Sequence, residues 1–181
     1  MTMQKVLIPL DRSYFSRQIL PQIRRFLNPA FNKLLLLYAA PSNAAREFIP
    51  APTKPAAEYW PMQTHSSHQD AGFARHPIYD NQVQDSLRVT VETELQEEIH
   101  LLKEAGYTVS VEVRFGDPAQ KILTFIEEEN VDLVAMSTHG RTGASKLIFG
   151  SVAEKVINKV RVPILLLHPQ EQPAKPNNIF I

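Results

Sequence analysis

The chain contains no cysteine. That absence excludes disulfide bonds, thiolate nucleophiles and zinc or iron–sulfur centres held by Cys ligands. It also has no net charge, because 19 Lys and Arg residues balance 19 Asp and Glu residues. No strongly basic face follows from such a balance, so general nucleic-acid binding through phosphate neutralisation is disfavoured. Long apolar runs are lacking as well. None approaches the roughly 20 residues of a membrane span, and the apolar part of "MTMQKVLIPLDRS" is too short for a signal peptide. The expectation is a cytoplasmic protein without membrane attachment. Glycine is scarce, six residues in all, and three of the six (Gly140, Gly143 and Gly150) fall within residues 137 to 151.

What is present reads as alternating strands and helices. Of 181 residues, 44% are hydrophobic, enough for one domain with its own core. Short apolar runs lie at residues 5 to 10, 33 to 39, 108 to 113, 131 to 137 and 163 to 168. All but "TVSVEV" lack a polar face, as strands covered on both sides do. Between them, Asp117 and Pro118 form an N-cap and first-turn pair, with Ala119, Ile122, Leu123 and Ile126 at helical spacing. From Asp80 to Ala105, Val83, Leu87, Val91, Leu95, Ile99 and Leu102 predict a long helix closed by Gly106. Ser151 and Glu154 have the spacing of a capping box. Near Ser13 to Leu27 a first helix is weaker, since Pro21 in its interior would cost about 3 kcal/mol. A kink or a late start is expected there. The order βαβαβαβαβ implies right-handed crossovers and an α/β fold, an open, doubly wound, mostly parallel sheet flanked by helices, whose ligands bind beyond the carboxyl ends of the strands.

Residues 41 to 80 stand apart as an irregular insertion in a single domain of residues 1 to 168. They hold six of the fourteen prolines (Pro41, Pro50, Pro52, Pro55, Pro61 and Pro77) and no clear periodicity. A connection of that length is generally a functional flap or a disordered loop. Its histidines, His65, His68 and His76, offer only the permissive His-x-x-His spacing without a Cys companion and are not read as a metal site. Tyr59 and Trp60 are assigned to local packing or a partner. Residues 169 to 181 form a tail with an apolar end, "NNIFI".

The stretch "STHGRTGASKLIFGS" joins the fourth strand to the last helix. Glycines allow backbone N–H groups to approach an anion, and a helix N-terminus adds partial positive charge. Thr138, Thr142, Ser145 and Ser151 offer hydroxyl donors, while Arg141 and Lys146 offer charge. That composition suits a polyphosphate. The structural alternative is that the glycines serve turns and Ser151 caps its helix. Neither G-x-x-x-x-G-K-[ST] nor G-x-G-x-x-G occurs.

"KVLIPLDRS", "FGDPAQKI" and "VDLVAMSTHGRTGASKLIFGSVAEKVINKVRVPILLLH", in that order, resemble the universal stress protein family. The resemblance implies a Rossmann-like five-stranded sheet of order 3-2-1-4-5 and a site for ATP with Mg2+. ATP-binding members carry Gly, two residues, Gly, nine residues, Gly and then Ser or Thr. Here Gly140, Gly150 and Ser151 match, and Ser137 occupies the first position. The implied ATP-binding residues are Pro9, Leu10, Asp11, Ala39, Gly116, Ser137, Thr138, His139, Gly140, Arg141, Gly143, Gly150 and Ser151, with Ser13 a weaker candidate. Asp11 would meet the nucleoside, though capping the following helix with Ser13 is an equal alternative for it. Ala39 would face the adenine. A homodimer through the fifth strand, residues 163 to 168, is implied too.

Three functions follow from this reading. The first is a regulatory, stress-response module that binds ATP. The second is an enzyme, a slow ATPase or a protein that phosphorylates itself, although no convincing general base is visible and Ser137 with His139 does not form a nucleophile–base pair. The third is a dimeric interaction protein without nucleotide binding. AMP and cyclic nucleotides are left open as ligands.

Overall fold

The computed structural model describes residues 2–40, 77–138 and 149–170. Five strands, β1 (Gln4–Leu10), β2 (Asn32–Ala40), β3 (Thr108–Phe115), β4 (Leu133–Ser137) and β5 (Ile164–Leu167), form one sheet of order β3-β2-β1-β4-β5. Every pairing is parallel. Among the described residues six helices accompany it: α1 (Tyr14–Arg17), α2 (Ile19–Phe26), α3 (Pro77–Glu94), α4 (Gln96–Glu104), α5 (Pro118–Glu129) and α6 (Ser151–Ile157). The expected topology is therefore the one observed.

Strand alternation divides the core between the two faces of the sheet. Val6, Ile8 and Leu10 of β1, with Leu34 and Leu36 of β2, pack with Ile19, Leu20 and Ile23 of α2, Leu87 and Val91 of α3 and Leu102 of α4. Leu7, Leu35, Leu37, Val134 and Met136 point the other way, onto Ala119, Ile122, Phe125 and Ile126 of α5 and Ala153 and Val156 of α6. Both faces are covered, which is why these strands have no polar side. At the amino ends of the strands, Lys5 N–H donates to Asp132 Oδ2 at 2.7 Å and Asp132 N–H to the Lys5 carbonyl at 2.9 Å. These bonds set β1 against β4 in the register that pairs Val6 with Leu133.

Local chemistry explains the helix ends. Ser13 Oγ accepts from Ser16 N–H at 3.1 Å and caps α1. The chain then restarts at Ile19, and Pro21 falls in the first turn of α2, where no intrahelical donor is lost. The periodic stretch after residue 80 begins earlier, at Pro77, and is broken at Leu95 into α3 and α4. Gly106, at φ 93°, follows the end of α4 as expected. The Tyr107 hydroxyl donates to the Leu27 and Ile23 carbonyls, closing the carboxyl end of α2. Asp117 Oδ1 accepts from Gln120 N–H at 2.9 Å and caps α5, and Asn130 at φ 51° ends it.

One capping expectation is corrected. The N-cap of α6 is Gly150, in extended conformation and without a side-chain cap bond, so Ser151 is already the first helical residue. The Ser–Glu spacing does not act as a capping box, because the serine sits one position too far into the helix to accept from its third N–H. No described helix is long and apolar enough to cross a membrane.

Candidate functional site

Strand order reverses between β1 and β4: β1 leads to β2 on one side, while β4 lies on the other. At the carboxyl ends of these strands a cavity of about 510 Å³ opens. Its floor and walls are Pro9 and Leu10 of β1, Ala39 of β2, Met136 of β4, Ile122 of α5 and Val152 and Ala153 of α6. Its polar lining comes from Asp11, Ser16, Tyr38, Ser137 and Ser151, and Pro118 and Gly150 complete it at helix starts. Apolar walls with a few convergent polar groups suit a flat heterocycle carrying a polar substituent.

Each polar residue is positioned by its own local geometry. Asp11 follows the last residue of β1, and its Oδ1 accepts from Ser13 N–H at 3.0 Å. The two alternatives for Asp11 are thereby separated: Ser13 caps the helix, while Asp11 shapes the turn and lines the cavity. Asp11 N–H in turn donates to Ser16 Oγ at 3.4 Å. Ser137 is buried, and its Oγ has no hydrogen-bond partner among the described residues. Tyr38 precedes Ala39 near the end of β2, after the leucine run Leu34–Leu37, and its hydroxyl interacts electrostatically with the Arg12 guanidinium. Glu94 raises the Arg12 pKa above its ordinary value, chiefly through a side-chain hydrogen bond, and the same bond holds the Glu94 carboxyl below the usual carboxylate range. At the start of α5, the Gln120 N–H bond and then Lys155 hold Asp117 below that range as well.

Pro9, Leu10, Asp11, Ala39, Ser137, Gly150 and Ser151 are thus brought together around one cavity. Thr138 and Gly116 are not among its lining residues. Thr138 is buried toward β5: its N–H donates to the Leu167 carbonyl at 2.8 Å and its Oγ1 lies 3.2 Å from His168 Nδ1. The ladder between β4 and β5 simply continues through it. Gly116 sits at φ 141° on the exit from β3, where an added Cβ would stand 2.7 Å from Lys121 Cε, so backbone geometry accounts for it. His139, Gly140, Arg141 and Gly143, with Thr142, Ser145 and Lys146, lie outside the described residues, as do His65, His68, His76, Tyr59, Trp60 and residues 171–181.

Sequence reasoning missed Ser16, Tyr38, Ile122, Met136, Val152 and Ala153 as cavity residues, and assigned Pro118 only to a helix start. Tyr38 carried a signal, the single hydroxyl in "LLLLYAA". The apolar ones carried none, because a wall residue and a core residue look alike in sequence.

Residues 3–168 match the family model for the universal stress protein family. The chain belongs to that family. Among curated members, the universal stress protein MJ0531 of Methanocaldococcus jannaschii is 37% identical over 67 residues, which are 37% of this chain and 39% of the relative. The alignment thus spans well under half of that relative. Among solved structures, protein MJ0577 superimposes with a TM-score of 0.64 at 20% identity, over 95% of this chain and 100% of that one. A universal stress protein family member from Arabidopsis thaliana, solved with AMP bound, superimposes with a TM-score of 0.56 at 16% identity, over 96% and 97% of the two chains. These likenesses establish the universal stress protein fold for this chain.

Proposed function

We propose that this universal stress protein binds an adenine nucleotide, ATP with Mg2+, in the cavity at the carboxyl ends of β1, β2 and β4, as a regulatory module of the cytoplasmic stress response. The observation that carries the reading is the convergence of Asp11, Ala39, Ser137, Gly150 and Ser151 on one cavity at the point where strand order reverses. The base would lie against Ala39, a small residue that leaves room for a purine beside Met136 and Ile122. Asp11 at the rim would accept from ribose hydroxyls. The phosphates would lie along residues 140 to 151, whose glycines and hydroxyls suit them. The AMP-bound Arabidopsis relative supports the ligand class.

Calorimetric titration with Mg–ATP tests this reading directly. One site per chain is expected, and no heat at millimolar nucleotide would overturn it. Gly150→Val should remove binding while the protein stays folded, because a branched side chain enters the space where phosphate approaches.

A second reading, self-phosphorylation, is favoured by one feature: two serines, Ser137 and Ser151, line the same cavity. Incubation with ATP labelled in the γ-phosphate, followed by intact mass measurement, separates a binder from a protein that retains the phosphoryl group. For partners, we propose a homodimer through β5. Among the described residues β5 pairs only with β4, so it is a sheet edge, and Leu166 on it is 39% exposed.

A further inference from the structure

Arg12 holds a left-handed backbone conformation, at φ 65°, between the end of β1 and the cap of α1. For a residue with a long side chain this conformation is strained and persists only where the surroundings impose it. Here they do so through the guanidinium. Arg12 Nε donates to Glu94 Oε2 at 2.8 Å and Nη2 to Glu94 Oε1, a two-point fork on the carboxylate. The Tyr38 hydroxyl interacts electrostatically with the same guanidinium. Glu94 is the last residue of α3, where the helix breaks at Leu95, and it is itself braced: Arg17 Nη1 donates to its carbonyl at 3.2 Å, and Arg17 Nη2 lies 3.6 Å from Oε2.

Both ends of this arrangement are cavity residues. Asp11 is the chain neighbour of Arg12, and Tyr38 is its electrostatic neighbour. About a third of each side chain of the Arg12–Glu94 pair is exposed, so solvent screens part of the attraction, while the two-point geometry fixes the direction of the guanidinium. We propose that Arg12, pinned by Glu94, is a positioning residue of the nucleotide cavity, holding the Asp11 turn in place and tying it to the end of α3; the proposal rests on the nucleotide reading given above. The bonds that fix the turn, Ser13 N–H to Asp11 Oδ1 and Ser16 N–H to Ser13 Oγ, then depend on a residue far away in sequence. An alteration at the end of α3 is felt at the rim of the cavity.

Arg12→Gly separates positioning from stability, because glycine accepts the left-handed backbone but removes the guanidinium. The ligand-free variant should melt at or above the wild-type temperature, yet bind ATP roughly tenfold more weakly by calorimetry. Glu94→Gln, similar in shape but neutral, should weaken ATP in the same direction, and Arg12→Lys, a charge without the fork, should recover only part of the loss. Wild-type affinity in both Arg12→Gly and Glu94→Gln would overturn the proposal. If wild-type protein takes up no nucleotide, the nucleotide reading fails, and amide exchange of ligand-free protein decides the clamp. Faster exchange at Ser13 and Ser16 in both variants, with sheet amides unchanged, supports it. Wild-type exchange rates at those two amides overturn it.

Discussion

Gln18 and Gln170 clasp each other at two points: Gln18 Nε2 donates to the Gln170 carbonyl at 2.7 Å, and Gln170 N–H donates to Gln18 Oε1 at 2.9 Å. One side-chain amide thus satisfies both backbone groups of a residue just beyond β5, and it does so from the junction of α1 and α2. The chain leaving the sheet is led toward α1, which Ser13 caps and which carries Ser16.

Gln18→Ala should remove both bonds and leave a backbone donor and acceptor to water. Since the clasp is near the surface, the cost is about 1 kcal/mol, equivalent to a fall in melting temperature of about 2–4 °C. Thermal unfolding measures it. Carboxypeptidase should also shorten the variant faster than the wild type, and equal trimming would show that the clasp does not restrain the chain end.

Gly116 offers a test of backbone strain apart from side-chain clash. At φ 141°, with an added Cβ 2.7 Å from Lys121 Cε, Gly116→Ala meets both. Urea unfolding should show a loss of about 1–3 kcal/mol. The flexible lysine can move, so making the same substitution in a Lys121→Ala background should leave most of the loss in place. Full recovery in that background would assign the glycine to space rather than to conformation.

The pH dependence of stability should carry a contribution from Asp117. Its carboxyl is held below the ordinary value of 3.8, first by the Gln120 N–H bond of the cap and then by Lys155, whose Nζ lies 3.4 Å from Oδ2. A depressed folded value means that the contribution is complete above the unfolded value and disappears as pH falls through the lower, folded one. Asp117→Asn keeps a good cap but loses the charge. Its melting temperature should lie below that of the wild type at neutral pH, and the two should converge in acid. A gap that persists undiminished at low pH would contradict the assignment.

Dimerisation through β5 is checked by light scattering at micromolar concentration. The expected mass is about twice the chain's 20.5 kDa, and a mass near 20.5 kDa would reject the dimer. Leu166→Pro should split or unfold the assembly, because proline removes a ladder donor from what would become an interior strand.

The sequence by itself determined the elements, since the forces that make them act within a few residues. The aliphatic run 34 to 37 has no polar alternation, so it had to be a strand covered on both faces, and β2 is one. Asp117 with Pro118 could start a helix and do little else, and Gly106 could leave one in a conformation costly to other residues. The alternating order then limited the sheet to parallel, right-handed solutions, and three separated segments, "KVLIPLDRS", "FGDPAQKI" and the stretch from Val131 to His168, pointed to the family. Tertiary structure alone decided which residues share the cavity. Met136 and Ile122 are ordinary apolar positions until β4 and α5 converge at the carboxyl end of the sheet. It also decided that Thr138 faces β5 instead of the cavity, because a ladder bond to Leu167 claims its backbone. Arg12 and Glu94 are 82 positions apart and Gln18 and Gln170 are 152 apart, separations at which no local pattern exists. Such pairs are set by the loops the chain closes and the surfaces it buries, and those are properties of the whole fold.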